Sequence, residues 1–152
     1  VHLVDGFIAL CGEIEQVYCV NTRRAAPLVD DTTAVTMTHK NGVTSSLLCS
    51  IATAGSYRVA VFGTRGLAEA ERNLETFRFT AAPDKPGHGP ASPPEIIENK
   101  GVNPVKAGLE AFAAAIRGEA PFPITADRII HGVAVFEAIV KSAKTGQPVK
   151  VG

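Results

Sequence analysis

Residues 33–53 read TAVTMTHKNGVTSSLLCSIAT, and this stretch decides the fold. Two runs rich in β-branched and apolar residues flank Asn41-Gly42, a dipeptide that tolerates positive φ and is the strongest short hairpin signal. Reading outward, residues 14–20 (IEQVYCV) form a strand that enters a polar turn around Asn21–Asp31. Beyond Gly55, residues 57–63 (YRVAVFG), 67–72 (LAEAER) and 74–80 (LETFRFT) continue the series through short turns. Such a run is an antiparallel meander. Helices flank it. Val1, Val4, Ile8 and Cys11 recur at helical spacing over residues 1–12. Val105, Leu109, Phe112 and Ile116 make one stripe over 104–117, and Ile129, Val133, Phe136, Val140 and Ala143 another over 125–145. Thr125 suits the N-cap of the last helix and Gly146 its end. Residues 81–104 hold six of the ten prolines, so they read as a loop with one short edge strand at Glu95–Glu98. Strands first and helices after predict an α+β fold, an open and mostly antiparallel sheet with helices packed on one face.

The length of 152 residues suits one domain spanning 1–152. Hydrophobic residues make up 45% and charged residues 20%, the balance of a globular chain. Fifteen basic residues offset fifteen acidic ones, which removes the electrostatic case for nucleic acid or an anionic membrane as partner. No apolar run approaches the roughly 20 residues of a membrane span. The opening VHLVDGFIAL lacks the basic segment of a signal peptide, and a start at Val1 reads as the middle of a longer polypeptide. Cys11, Cys19 and Cys49 match no zinc or redox spacing, so three reduced thiols in a cytoplasmic protein are expected.

Strand patterning carries a second message. Val43, Leu47, Cys49 and Ile51 mark one face of their strand, yet the other holds Thr44, Ser46, Leu48 and Ser50. Tyr57, Val59 and Val61 alternate with Arg58, Ala60 and Phe62. Small and semi-apolar residues on the outer face suit contact with another subunit, and scattered surface apolar residues are the plain alternative.

Candidate chemistry begins at His2. Asp5 follows three residues later, so on a helix both side chains share a face. A carboxylate beside an imidazole suits a general base that takes a hydroxyl proton, although the same spacing also arises as an ordinary surface pair. His39, His88 and His131 read as structural or solvated. Arg23 and Arg24 offer a clamp for an anionic group or a solvated turn. Asp30-Asp31 is a poor metal site and reads as a turn acid, and no metal-ligand spacing is present. Gly63-Thr64-Arg65-Gly66 lies between strands, so it is a hairpin turn and not a phosphate cradle.

Three stretches together resemble the C-terminal domain of the Gfo/Idh/MocA (glucose–fructose oxidoreductase/inositol dehydrogenase-like) family. They are His2-Leu3-Val4-Asp5; Asp30-Asp31 with the ribbon Tyr57–Leu67; and Phe112–Gly118 followed by Pro123–Val149, with its Ala126-Asp127-Arg128, Glu137-Ala138 and Ser142–Val149 segments. The resemblance implies a parent NAD(P)-dependent oxidoreductase acting on a sugar, polyol or related hydroxy compound. Its N-terminal Rossmann domain, absent from this chain, would hold NAD or NADP. His2 would abstract the substrate hydroxyl proton while hydride passes to the nicotinamide, and Asp5 would contact substrate hydroxyls. Arg23 is a further candidate for substrate binding. The sheet would carry homo-oligomer contacts in a dimer or tetramer. The 152-residue chain alone would bind no cofactor and be inactive. A non-enzymatic dehydrogenase-like module for binding or assembly is the alternative.

Overall fold

The computed structural model describes residues 2–71, 75–83, 85, 92–99, 101 and 103–152. Its elements in chain order are α1 (His2–Cys11), β1 (Ile14–Thr22), β2 (Thr32–His39), β3 (Thr44–Ser50), β4 (Val59–Gly63), β5 (Gly66–Glu71), β6 (Thr76–Ala81), β7 (Glu95–Glu98), α2 (Pro104–Ile116), α3 (Ala126–Thr145) and β8 (Val149–Lys150). The strands form two four-stranded sheets, ordered β3-β2-β1-β8 and β4-β5-β6-β7, with antiparallel neighbours throughout. The α+β class read from sequence is thus present, with the strand series divided between two sheets. The chain separates into two compact units, residues 1–54 with 121–152, and residues 55–120.

In the first unit α1 and α3 lie on one face of their sheet. Val4 and Ile8 of α1 and Val135, Ala138 and Ile139 of α3 meet Ile14, Val17, Cys19, Val35 and Met37 of β1 and β2. Alternation along each strand sends these residues to one face. Full burial of a side chain such as Met37 or Val135, both at 0% exposure, contributes about 1.5–3 kcal/mol. The helical stripe read from sequence for α3 is the packed one only in part. Ala143 packs against the core, but Ile129, Val133, Phe136 and Val140 are exposed, and the sheet side carries Val135, Ala138, Ile139 and Ser142. The helix is apolar around most of its circumference, so spacing alone marked two faces and the bulkier one is outside. Thr125 and Gly146 cap it as expected, Gly146 in the left-handed region at φ 66° with its N–H donating to the Ser142 carbonyl.

The hairpin at Asn41-Gly42 forms as a three-residue loop. Gly42 N–H donates to the His39 carbonyl (2.9 Å) and His39 N–H to the Val43 carbonyl (2.8 Å), with Gly42 at φ 85°. Asn41 departs from a free turn residue because its amide nitrogen donates to the Cys11 carbonyl at 2.9 Å. The two-residue strand β8 has no counterpart in the sequence reading. It pairs Val149 with Val17 and Lys150 with Gln16.

In the second unit β7 forms at Glu95–Glu98, as expected, and pairs with β6 as an edge strand. The Gly63–Gly66 turn joins β4 to β5 as a hairpin. A Cβ at Gly66 would lie 2.3 Å from the Thr80 carbonyl oxygen, at φ 147°, so only glycine fits there. Helix α2 starts on the Asn103 side-chain cap and Pro104. Its residues Val105, Leu109, Phe112 and Ile116 are exposed within the described structure. His88, and the Arg72 and Leu74 ends of two sequence-predicted strands, lie outside the described residues.

Candidate functional site

Helix α1 carries the candidate pair. His2 is exposed in its first turn, and among the described residues no hydrogen bond or ion pair holds its ring. Asp5 is half-buried and engaged elsewhere. Arg128 Nε donates to Asp5 Oδ1 at 3.0 Å, and Arg128 Nη2 lies 2.9 Å from the same oxygen. Nη2 also donates to the main-chain carbonyl of Asp5 at 3.0 Å. The His2–Asp5 spacing on one helix is as the sequence implied, but the described partner of the carboxylate is an arginine 123 residues away. The only trace of Arg128 in the sequence was its place in Ala126-Asp127-Arg128.

The exit from α1 is held by a polar network. Asn41 Nδ2 donates to the Cys11 carbonyl, His39 Nδ1 donates to the Gly12 carbonyl (2.8 Å), and Lys40 N–H donates to the Glu13 carbonyl (2.9 Å). Ile14 N–H then donates to His131 Nε2 at 3.0 Å. His39 is buried, and its other ring nitrogen meets Ser45 Oγ at 2.9 Å. A carbonyl can only accept, so His39 Nδ1 bears a hydrogen. His131 accepts through Nε2, so it is the Nδ1–H form. Both histidines therefore have structural duties that fix the strand following α1. Lys40 Nζ closes the edge of this network on Glu13 at 2.5 Å, and that contact lowers the Glu13 carboxyl below its ordinary range.

Arg23 lies in the turn between β1 and β2, exposed, and among the described residues no hydrogen bond or ion pair joins it to His2 or Asp5. The organiser of that turn is Asp31. Its buried Oδ2 accepts from the N–H groups of Arg24 (2.7 Å), Ala25 (2.6 Å) and Ala26 (3.0 Å), and Oδ1 accepts from Thr32 Oγ1. These main-chain donors hold the Asp31 carboxyl far below the usual carboxylate range. Asp31 is thus a turn acid, as the sequence suggested. Asp30 accepts from Asn21 Nδ2 at 3.1 Å.

On the outer face of the first sheet, register aligns Tyr18, Thr36 and Ser46 in one row and Val20, Ala34 and Leu48 in the next. Small residues on the middle strand leave a shallow groove of about 240 Å³ between larger neighbours. Leu48 is 73% exposed beside it.

Among the described residues, no three His, Cys, Asp or Glu side chains come together as a metal site. Among the described residues no glycine-rich turn joins a strand to a following helix. No helix among them is long and apolar enough to cross a membrane.

No curated protein sequence matches the chain. Solved structures match its fold. An oxidoreductase of Desulfitobacterium hafniense, described as NADPH-dependent, aligns with TM-score 0.85 at 17% identity over 99% of this chain and 46% of its own. The WlbA dehydrogenase of Bordetella pertussis, solved with NADH and UDP-GlcNAcA, aligns with TM-score 0.73 at 18% identity, over 99% and 43%. A levoglucosan dehydrogenase, solved with NADH and L-sorbose, aligns with TM-score 0.77 at 19% identity, over 99% and 48%. The chain thus spans less than half the length of these structures. A family profile described as the C-terminal alpha/beta domain of an oxidoreductase family matches residues 1–151. With the match running through α1, both sheets and α3, the chain belongs to the Gfo/Idh/MocA oxidoreductase family, as its C-terminal alpha/beta domain.

Proposed function

We propose that the chain is the substrate-side domain, residues 1–152, of an NAD(P)-dependent oxidoreductase acting on a sugar, polyol or related hydroxy compound. The observation that carries this reading is the family match over residues 1–151, which runs through the helix bearing His2 and Asp5. His2 is the general base: exposed and without a described partner, its ring is open to a substrate hydroxyl. Asp5 accepts a hydrogen bond from a second substrate hydroxyl. Arg23, exposed in its turn, is a weaker candidate for contact with substrate. The nicotinamide, as NAD or NADP, belongs to a Rossmann domain outside this chain, and this chain alone is inactive. NADH in two of the similar structures, beside UDP-GlcNAcA in one and L-sorbose in the other, supports that assignment. The outer sheet face with Tyr18, Val20 and Leu48 is a homo-oligomer contact, and the three free cysteines fit a cytoplasmic location.

The test is His2→Ala in the full-length protein. Loss of a general base lowers kcat by about a hundredfold or more and leaves cofactor affinity within about twofold. An unchanged kcat refutes the role of His2. An upstream sequence lacking a strand followed by G-x-G-x-x-G would favour an assembly module instead.

A further inference from the structure

Arg128 stands where helix physics does not want it. It is the third residue of α3 after the Thr125 cap, and Thr125 Oγ1 accepts from its N–H. The N-terminal turn of a helix carries partial positive charge, which favours anions and disfavours a cation. The side chain is also largely withdrawn from solvent, at 26% exposure. An arginine paired with a carboxylate only to decorate a surface would point outward and contribute little. Arg128 instead reaches across to α1 and grips one residue twice, by Oδ1 and by the main-chain carbonyl. A planar guanidinium that bonds both fixes the carboxylate rotamer relative to the helix that carries it. Beside it Gly132 admits Ile8, whose Cδ1 would sit 3.9 Å from a Cβ at that glycine, so the two helices pack closely at the same seam.

We propose that Arg128 is a positioning residue of the candidate substrate site, fixing Asp5 so that one carboxylate oxygen, Oδ2, is left to accept a hydrogen bond from a hydroxyl of an uncharged polyol or sugar. Oδ1 is occupied by Arg128, and Oδ2 has no hydrogen-bond partner among the described residues. The paired charges of Asp5 and Arg128 cancel locally, which suits a neutral hydroxyl over an ammonium or a carboxylate ligand. This inference rests on the proposed oxidoreductase reading and assigns Asp5 one acceptor oxygen and Arg128 a role.

The experiment uses the full-length protein with NAD+ or NADP+ and four probe substrates: myo-inositol, D-glucose, D-xylose and L-sorbitol. Kinetics are taken on the fastest of them for wild type, His2→Ala, Asp5→Asn, Arg128→Met, Arg128→Lys and the Asp5→Asn/Arg128→Met double variant. Arg128→Met should raise KM about tenfold while kcat falls less than about threefold, because orientation of a binding group is lost and the base remains. Arg128→Lys keeps the charge without the fork and should lie between wild type and Arg128→Met. The double variant should be no worse than Asp5→Asn alone, since both substitutions remove one unit. Multiplying KM effects, or an unchanged KM in Arg128→Met with a raised one in Asp5→Asn, would overturn the positioning role alone. Should Arg128→Met not fold, an Arg128→Lys KM equal to wild type does the same. No turnover of any probe, or a His2→Ala kcat equal to wild type, overturns the oxidoreductase reading and this inference with it.

Discussion

Ser142→Ala removes one oxygen from the interior of the first unit, and its consequence can be worked from the hydrogen bonds. Ser142 is fully buried in α3. Its Oγ accepts from Cys19 N–H at 2.9 Å and donates to the Gln147 carbonyl at 2.7 Å. Strand β8 pairs with β1 only at Gln16 and Val17, so the ladder has ended before Cys19 and the hydroxyl supplies the missing acceptor. With alanine there, the Cys19 N–H is left unpaired at a residue that is 2% exposed. A buried donor without a partner costs about 1–3 kcal/mol, and the second bond adds about 1 kcal/mol net. The expected loss is about 3 kcal/mol. For a chain of 152 residues that lowers Tm by about 6–12 °C. Urea unfolding should show a reduced midpoint with an unchanged m-value, and amide exchange at Cys19 should accelerate more than at Val35 across the ladder. Ser46→Ala, on the exposed face, is the control and should stay within about 0.5 kcal/mol. A loss below about 0.5 kcal/mol in Ser142→Ala, or unaltered exchange at Cys19, would refute the view that this hydroxyl extends the sheet.

Two more predictions follow from the same kind of geometry. Gly66→Ala combines a clash with the Thr80 carbonyl and a φ that alanine rarely adopts, so it should lower stability by at least about 2 kcal/mol, read by thermal melting. Asp31 has a folded-state pKa depressed below its unfolded value by the main-chain donors of residues 24–26. The stability it contributes is therefore full above about pH 5, the upper edge of the unfolded aspartate titration, and is lost as pH falls toward the depressed value. Asp31→Asn should destabilise the chain at neutral pH and flatten the fall in Tm between about pH 5 and pH 2; an equally steep fall in the variant would remove Asp31 as its source.

Element type was largely legible before the structure because it depends on short-range pattern. The period-two runs around Asn41-Gly42, the capping residues Thr125 and Gly146 and the glycine spacing at Gly63–Gly66 each act within a few residues. The family resemblance at His2-Leu3-Val4-Asp5 was local too. Strand β8 escaped notice because two residues carry no periodicity, and its pairing depends on β1, over 130 residues earlier.

What only the tertiary structure decided is which face of each element is used and which partners distant residues find. Spacing in α3 offered Ile129, Val133, Phe136, Val140 and Ala143 as the packed stripe, yet of these Ala143 alone packs against the core, beside Val135, Ala138, Ile139 and Ser142. Sequence periodicity reports that a stripe exists, and packing against β1 chooses among stripes. The histidines show the same division. His39 and His131 read as structural from sequence, but the placing of their ring hydrogens follows from Gly12 and Ile14, the groups they meet. Asp5 was placed beside His2 by helical spacing; its carboxylate was turned to Arg128 by the approach of α3. By itself the sequence determined the α+β class, most element boundaries and a His-x-x-Asp helix, because neighbours along the chain dictate them. Long-range packing alone decided that Asp5 is held by Arg128, since a contact across 123 residues leaves no local signature.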